Sequence, residues 1–214
     1  FNPKDEVLHT AHINPEAMHH IKRVVSRSDG KAVSVSYSHL LTLTDPEEMR
    51  DEIITISDDI KFDLDADASG EHILVLGETS IWTWQWKEDR YAKIYEHNKL
   101  ISTGSINTHG DVVIVANDQL IWIAPDGLKK FFTLPPKSFV LDIEWVPGKP
   151  WVVMGQRDGS VTVMDLEQDV ILSKAKLHQE RVASVNVSAD GRWLATGAWD
   201  AQVLVSDLST LTPH

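Results

Sequence analysis

The chain has 214 residues, 42% hydrophobic and 24% charged, enough to build the core of one domain or two small ones and not the composition of a disordered chain. Its formal net charge of −12 opposes general nucleic-acid binding and attraction to anionic membranes, because both need a surplus of Lys and Arg. Cysteine is absent, which excludes disulfide frameworks, thiolate zinc sites and cysteine nucleophiles and fits an intracellular protein, cytoplasmic or nuclear. No apolar run reaches the roughly 18 residues of a membrane span.

The chain opens with "DEVLHTAHINPEAMHHIKRVV", which aligns with "QDVILSKAKLHQERVASV" near the far end. Residues 5–12 therefore read as a closing strand that completes the last of several units. His9, His12, His19 and His20 cluster here, but without thiolates or a helix to fix a ligand pair they read as strand and loop residues, and no metal is expected. The first unit, 20–52, holds a turn and strand in "RSDGKAVSV", a second turn at Tyr37 and Ser38, and "DPEEMRDEI", a charged loop or single turn.

The second unit, 53–93, begins with "DLDAD". Asp63, Asp65 and Asp67 have the alternate spacing of a calcium loop, but the required Gly and Glu are replaced by Ala68 and Leu74, so the three are expected on a solvated strand face. "HILVL" reads as a strand, and Trp82, Trp84 and Trp86 in "WTWQW" share a face that fills space between sheets, Trp86 being the most exposed. The third unit, 94–132, carries "NTHGDVVIV". The fourth, 133–173, carries "VPGKPWVVM", with Asp142 and Glu144 just before it. The fifth, 174–208, carries "SADGRWLAT".

These units keep one period. Gly30, Gly70, Gly110, Gly148 and Gly191 recur about every 40 residues, each between a polar turn and an apolar run of strand length. A second set of turn residues follows the same step: Ser38, Glu78, Asp118, Asp158 and Asp200. Three residues after the first four, and after Asp200 too, stands a branched apolar residue: Leu41, Ile81, Ile121, Val161 and Val203. The pattern predicts an all-β chain in which each unit is a four-stranded antiparallel sheet.

The last unit resembles a WD40 repeat. "VASVNVSADGRWLATGAWDAQVLVSDL" supplies the body and Ser206–Asp207 stands at the Trp-Asp place, while "DIEWVPGKPWVVMGQRDGSVTVMDL" is similar over the fourth unit. The resemblance implies a β-propeller of about five blades, either a ring of five or part of a seven-bladed ring. It also implies a hydrogen-bonded tetrad, for which the last unit has His178, Thr196 and Asp200 but Ser206 in place of Trp. Trp84 keeps the aromatic in the second unit, where Glu78 replaces Asp. With Asp158 and Asp118 at the marker turns, these residues are expected to serve the fold.

The same resemblance places partner contacts at the residue before each marker. Tyr37, Asn117, Arg157 and Trp199 are the candidates, with Arg181 in the loop leading into the last unit. The expected function is a non-catalytic scaffold for protein–protein interactions within a larger assembly, with no cofactor. No Gly-x-Ser-x-Gly, His-Glu-x-x-His or P-loop motif is present. The alternative is a propeller enzyme or small-molecule binder, of the glycan-hydrolase kind, that uses carboxylates such as Asp63, Asp142 and Glu144 in a central channel.

Overall fold

A computed structural model describes residues 21–36, 39–48, 50–54, 61–88 and 90–211. The closing strand expected at 5–12, the early histidines and Tyr37 lie outside the described residues. Strands β1 (Ile21–Ser26), β2 (Ala32–Ser36), β3 (Leu41–Asp45) and β4 (Arg50–Ile54) form one antiparallel sheet in chain order. The second sheet is β5 (Lys61–Ala66), β6 (His72–Gly77), β7 (Ser80–Gln85) and β8 (Arg90–Glu96). The third is β9 (Ile101–Ile106), β10 (Val112–Ala116), β11 (Gln119–Ile123) and β12 (Lys129–Thr133). The fourth is β13 (Val140–Trp145), β14 (Trp151–Gln156), β15 (Ser160–Asp165) and β16 (Val170–Lys176). The fifth contains β17 (Val182–Val187), β18 (Trp193–Ala198) and β19 (Val203–Asp207), three strands among the described residues.

These five sheets are the blades of a β-propeller. Among the described residues helix is confined to two short 3₁₀ turns, and none is long and apolar enough to cross a membrane. The described residues of segment 45–53 form no helix: Asp45 ends β3, its carboxylate accepts the amides of Glu47 and Glu48, and β4 starts at Arg50.

The five recurring glycines adopt φ between 66° and 85°, at the turn joining the first two strands of each blade. The branched residues counted from the second marker fall within the first three residues of each third strand. Sequence period and structural period therefore coincide.

Alternation along the second strands explains how the blades stack. Successive side chains of a strand point to opposite faces. On β6, Ile73 and Val75 pack toward the first blade with Val33, Val35 and Trp82, while Leu74 and Leu76 pack toward the third with Ile101, Ile114 and Ile121. On β10, Val113 and Val115 face the fourth blade and meet Ile143, Trp145 and Met154. On β14, Val153 turns to the fifth and meets Val182, Val185 and Leu194. Both faces of these strands are covered, which is why "HILVL" and "VVIVA" are unbroken apolar runs. Each joint between consecutive blades has its own apolar cluster, stabilised by about 25 cal/mol per Å² of apolar surface removed from water.

The first strands are more polar because one edge of each faces a shared cavity. Residues of β1, β5, β9, β13 and β17 all line a cavity of about 630 Å³. Hydrogen bonds tie each first strand to the next. Arg23 donates to Asp63, the Ile106 amide to Asp65, the Trp145 amide and indole to Ser105, and the Val185 amide to Asp142. Each tie crosses one blade joint at a step close to the sequence period.

Candidate functional site

Two regions gather the chemistry-bearing residues: the channel and one end of the fourth and fifth blades. In the channel, Arg23 makes ion pairs of 2.9 Å to Asp63 and 3.0 Å to Asp142, the second joining the first blade directly to the fourth. Asp63 and Asp142 are buried, with Asp63 also accepting the Leu64 amide. Burial works against the charge of Arg23, but the hydrogen bond to Asp63 and the charge of Asp142 outweigh it, and its pKa rises above the ordinary arginine value. Burial raises the Asp142 carboxyl despite the opposing charge of Arg23 and the bond from Val185.

Asp65 and Glu144 also line the channel. Burial pushes the Asp65 carboxyl up to about 7, against the hydrogen bonds from Ile106 and Ser105. Burial likewise raises Glu144 well above the ordinary carboxyl range, and the charges of Asp65 and Asp142 add to the effect. The expectation of a solvated face for Asp63, Asp65 and Asp67 is thus corrected. Their strand is the innermost of its blade, so Asp63 pairs with Arg23 and Asp65 faces the channel. Asp67 is buried in the following turn, bonded to Ser69, His72 and the Glu71 amide.

The raised Asp65 pKa has a testable consequence. Below its ordinary value of 3.8 the carboxyl is protonated in both folded and unfolded chains. Between there and about 7 the folded chain holds the proton longer, so this group makes stability fall as pH rises through that window. Asp65→Asn keeps an acceptor for the Ile106 amide and removes the charge. Its melting temperature at pH 8 is expected to exceed that of the wild type by about 3–6 °C, with the two converging near pH 4. Identical melting curves at pH 8 would refute the assignment.

At the end of the last blade, His178 is buried with its Nδ1 3.1 Å from Asp200 and its Nε2 2.8 Å from Thr196 Oγ1. Asp200 also accepts the amides of Gln179 and Gln202, and the hydrogen bonds from Gln179, Gln202 and His178 outweigh desolvation to hold its pKa below the ordinary value. Ser206 pairs with Leu194 across the β18–β19 ladder. Asp158 accepts the Ser160 amide and lies 3.8 Å from Lys174. Asp118 sits at φ 62° in an exposed turn, where its carbonyl accepts the Leu134 amide.

Trp84 is buried in the core between the first two blades and stacks on Tyr91 with ring centroids 5.0 Å apart. Its indole N–H has no hydrogen-bond partner among the described residues, where it contributes by packing rather than through a tetrad. Trp86 is only half-buried, donates to the Gly70 carbonyl and carries Arg27 over its ring at 4.2 Å.

Trp199 is 66% exposed, and the Arg181 guanidinium lies 4.0 Å from its ring centroid. Arg157 is exposed on the neighbouring turn, and Asn117 occupies the equivalent turn of the third blade, exposed at φ 48°. The structure brings Trp199, Arg157 and Arg181 to one end, and adds a residue that sequence reasoning missed. Phe139, 50% exposed, lies under Arg157 at 5.8 Å. Its signal was available, since "FVLDIEW" and "RVASVNV" align and set Phe139 opposite Arg181.

A family profile described as WD domain, G-beta repeat matches residues 171–207, which run from β16 through β19. Over 81 residues, 38% of the chain, the sequence is 27% identical to an uncharacterized WD repeat-containing protein of Schizosaccharomyces pombe, and the match covers 20% of that protein's length. The sequence running from β16 through the fifth blade is thus similar to the WD repeat, and the five antiparallel blades set around one channel form a β-propeller.

Proposed function

We propose that this chain is a non-catalytic scaffold that mediates protein–protein interactions within a larger assembly, with Trp199, Arg157 and Arg181 on its partner surface. WD40 propellers generally serve as protein-interaction scaffolds and generally carry no enzymatic activity. The observation that supports the reading most is the exposure of Trp199. Its indole stands in a polar turn, two-thirds exposed and braced by a guanidinium, although an aromatic ring of this size is ordinarily kept from water. Trp and Arg are also the residue types that dominate binding hot spots.

Trp199→Ala combined with Arg157→Ala is expected to abolish stoichiometric co-purification of the partner while leaving the melting temperature within about 3 °C, since exposed side chains contribute little to stability. A double variant that retains its partner, or one that unfolds, would overturn the assignment.

One observation favours the alternative, a channel enzyme or small-molecule binder: Asp65 and Glu144 both line the cavity with raised pKa values, the condition of a carboxylic acid held protonated for proton transfer. A rise in melting temperature on adding sugars, lost in Glu144→Gln, would support it over the scaffold.

A further inference from the structure

We propose that Phe139, Arg157, Arg181 and Trp199 form one surface that binds an extended acidic segment of a partner protein, the carboxylates held by the two guanidiniums and the intervening side chains laid on the two rings. The proposal rests on the scaffold reading above and adds the chemistry of the partner.

The two blades present the same pair with its members exchanged. In the fourth blade the aromatic ring lies in the lead-in loop and the arginine in the turn, and the Arg157 amide donates to the Phe139 carbonyl at 3.0 Å. In the fifth the arginine lies in the loop and the aromatic in the turn, and the Trp199 amide donates to the Arg181 carbonyl at 3.0 Å. Each guanidinium is therefore fixed beside a ring by backbone that is itself bonded.

The two pairs are contiguous. Gly159, two residues after Arg157, packs against the loop that carries Arg181. Its carbonyl accepts the amides of Leu177 and His178, and a Cβ built on it would lie 2.2 Å from the His178 carbonyl oxygen and 2.8 Å from that of Glu180.

Neither guanidinium at this end has a carboxylate partner among the described residues. Among the described residues, Arg23 pairs with Asp63 and Asp142, Arg27 with Asp29, and Arg192 with Asp207, whereas Arg157, Arg181 and, in the second blade, Arg90 make no ion pair. The nearest turn carboxylates are engaged elsewhere, Asp158 by the Ser160 amide and Lys174, Asp200 by His178 and two amides. Glu180 is exposed and makes no ion pair. In a chain of net charge −12, two unpaired arginines at the same end of adjacent blades are the complement of an acidic partner. A guanidinium lying over a ring keeps its N–H edge available, and that edge takes a carboxylate through two parallel hydrogen bonds.

Fluorescence anisotropy with a labelled octapeptide alternating Glu with Leu and Ser tests this, using Gln and Lys counterparts as controls. The Glu peptide is expected to bind at least tenfold more tightly than either control and to weaken as salt is raised. Arg157→Gln with Arg181→Gln is expected to reduce that binding at least tenfold. Arg157→Lys with Arg181→Lys, which keeps the charge and removes the planar fork, should lose part of it and carries the test should the Gln variant melt early. No binding of the Glu peptide, or equal binding by the wild type and both double variants, would overturn the proposal. If the Glu peptide fails while Trp199→Ala with Arg157→Ala still strips the partner, the partner is not acidic and the scaffold reading stands. If that variant keeps its partner, the scaffold surface itself is wrong.

Discussion

Gly159→Ala is expected to lower the melting temperature by about 6–12 °C, corresponding to about 3 kcal/mol. Two causes act together. Gly159 sits at φ 86°, a conformation that costs any other residue roughly 1 kcal/mol or more. Its new Cβ would also lie inside the contact distance of two carbonyl oxygens in the next blade, neither of which is the free end of a flexible side chain. The loop must move, and His178 moves with it, loosening the bonds to Thr196 and Asp200. Gly148→Ala separates the causes. Gly148 has φ 73°, but nothing lies within 4 Å of its Cβ position, so only the backbone cost applies and the shift should be about 2–4 °C. Equal shifts for the two variants would show that the joint between the fourth and fifth blades is not sterically tight at this point.

Arg23→Ala is expected to have a comparable effect by a different route. Asp63 and Asp142 are nearly closed off from solvent, with side-chain exposures of 9% and 5%, and Arg23 lies between them. Removing one partner of a buried ion pair leaves charge without compensation, typically a loss of several kcal/mol. Because Arg23 is itself one-third exposed, a loss of about 3 kcal/mol is expected, or about 6–12 °C. The sign of its pH dependence is fixed. The Asp142 carboxyl, already raised by burial, rises further above its value in the unfolded chain once the guanidinium is gone. The penalty is therefore full at pH 7 and shrinks toward pH 4 as that carboxyl protonates. Thermal melts at the two pH values check this, and a loss that is the same at both would contradict the electrostatic explanation.

Much of the fold was legible because it depends on local chemistry repeated at a fixed step. The turn glycines and the branched residues early in the third strands are short-range signals, and the repetition makes them readable. His178, Thr196 and Asp200 were also legible, because the resemblance of the last unit to a WD40 repeat implies their hydrogen bonding. The channel was not. Arg23, Asp63 and Asp142 come from three different units, and no pattern in "KRVV", "FDLDA" or "VLDIEW" tells that their side chains meet. The reading of Asp63 and Asp65 as solvated failed for the same reason, because alternation says which residues share a face but not what that face meets. Phe139 was not legible from the marker turns, because it lies in the loop that leads into β13. Its partner Arg157 shows that a repeat can keep an interaction while exchanging the residues that make it.

The contact between Arg23 and Asp142 changes how the molecule can come apart. A row of blades, each bonded only to its neighbours, behaves as a one-dimensional array and can fray from either end one unit at a time. The first blade would then open at low cost and exchange its amide hydrogens early. Arg23 reaches past the second and third blades to the fourth, so peeling the first blade away also strips the counter-charge from Asp142, whose other oxygen holds the Val185 amide of the fifth. Opening of the first blade is thereby coupled to the fourth and fifth, and amide hydrogen exchange is expected to show these blades opening together rather than one by one.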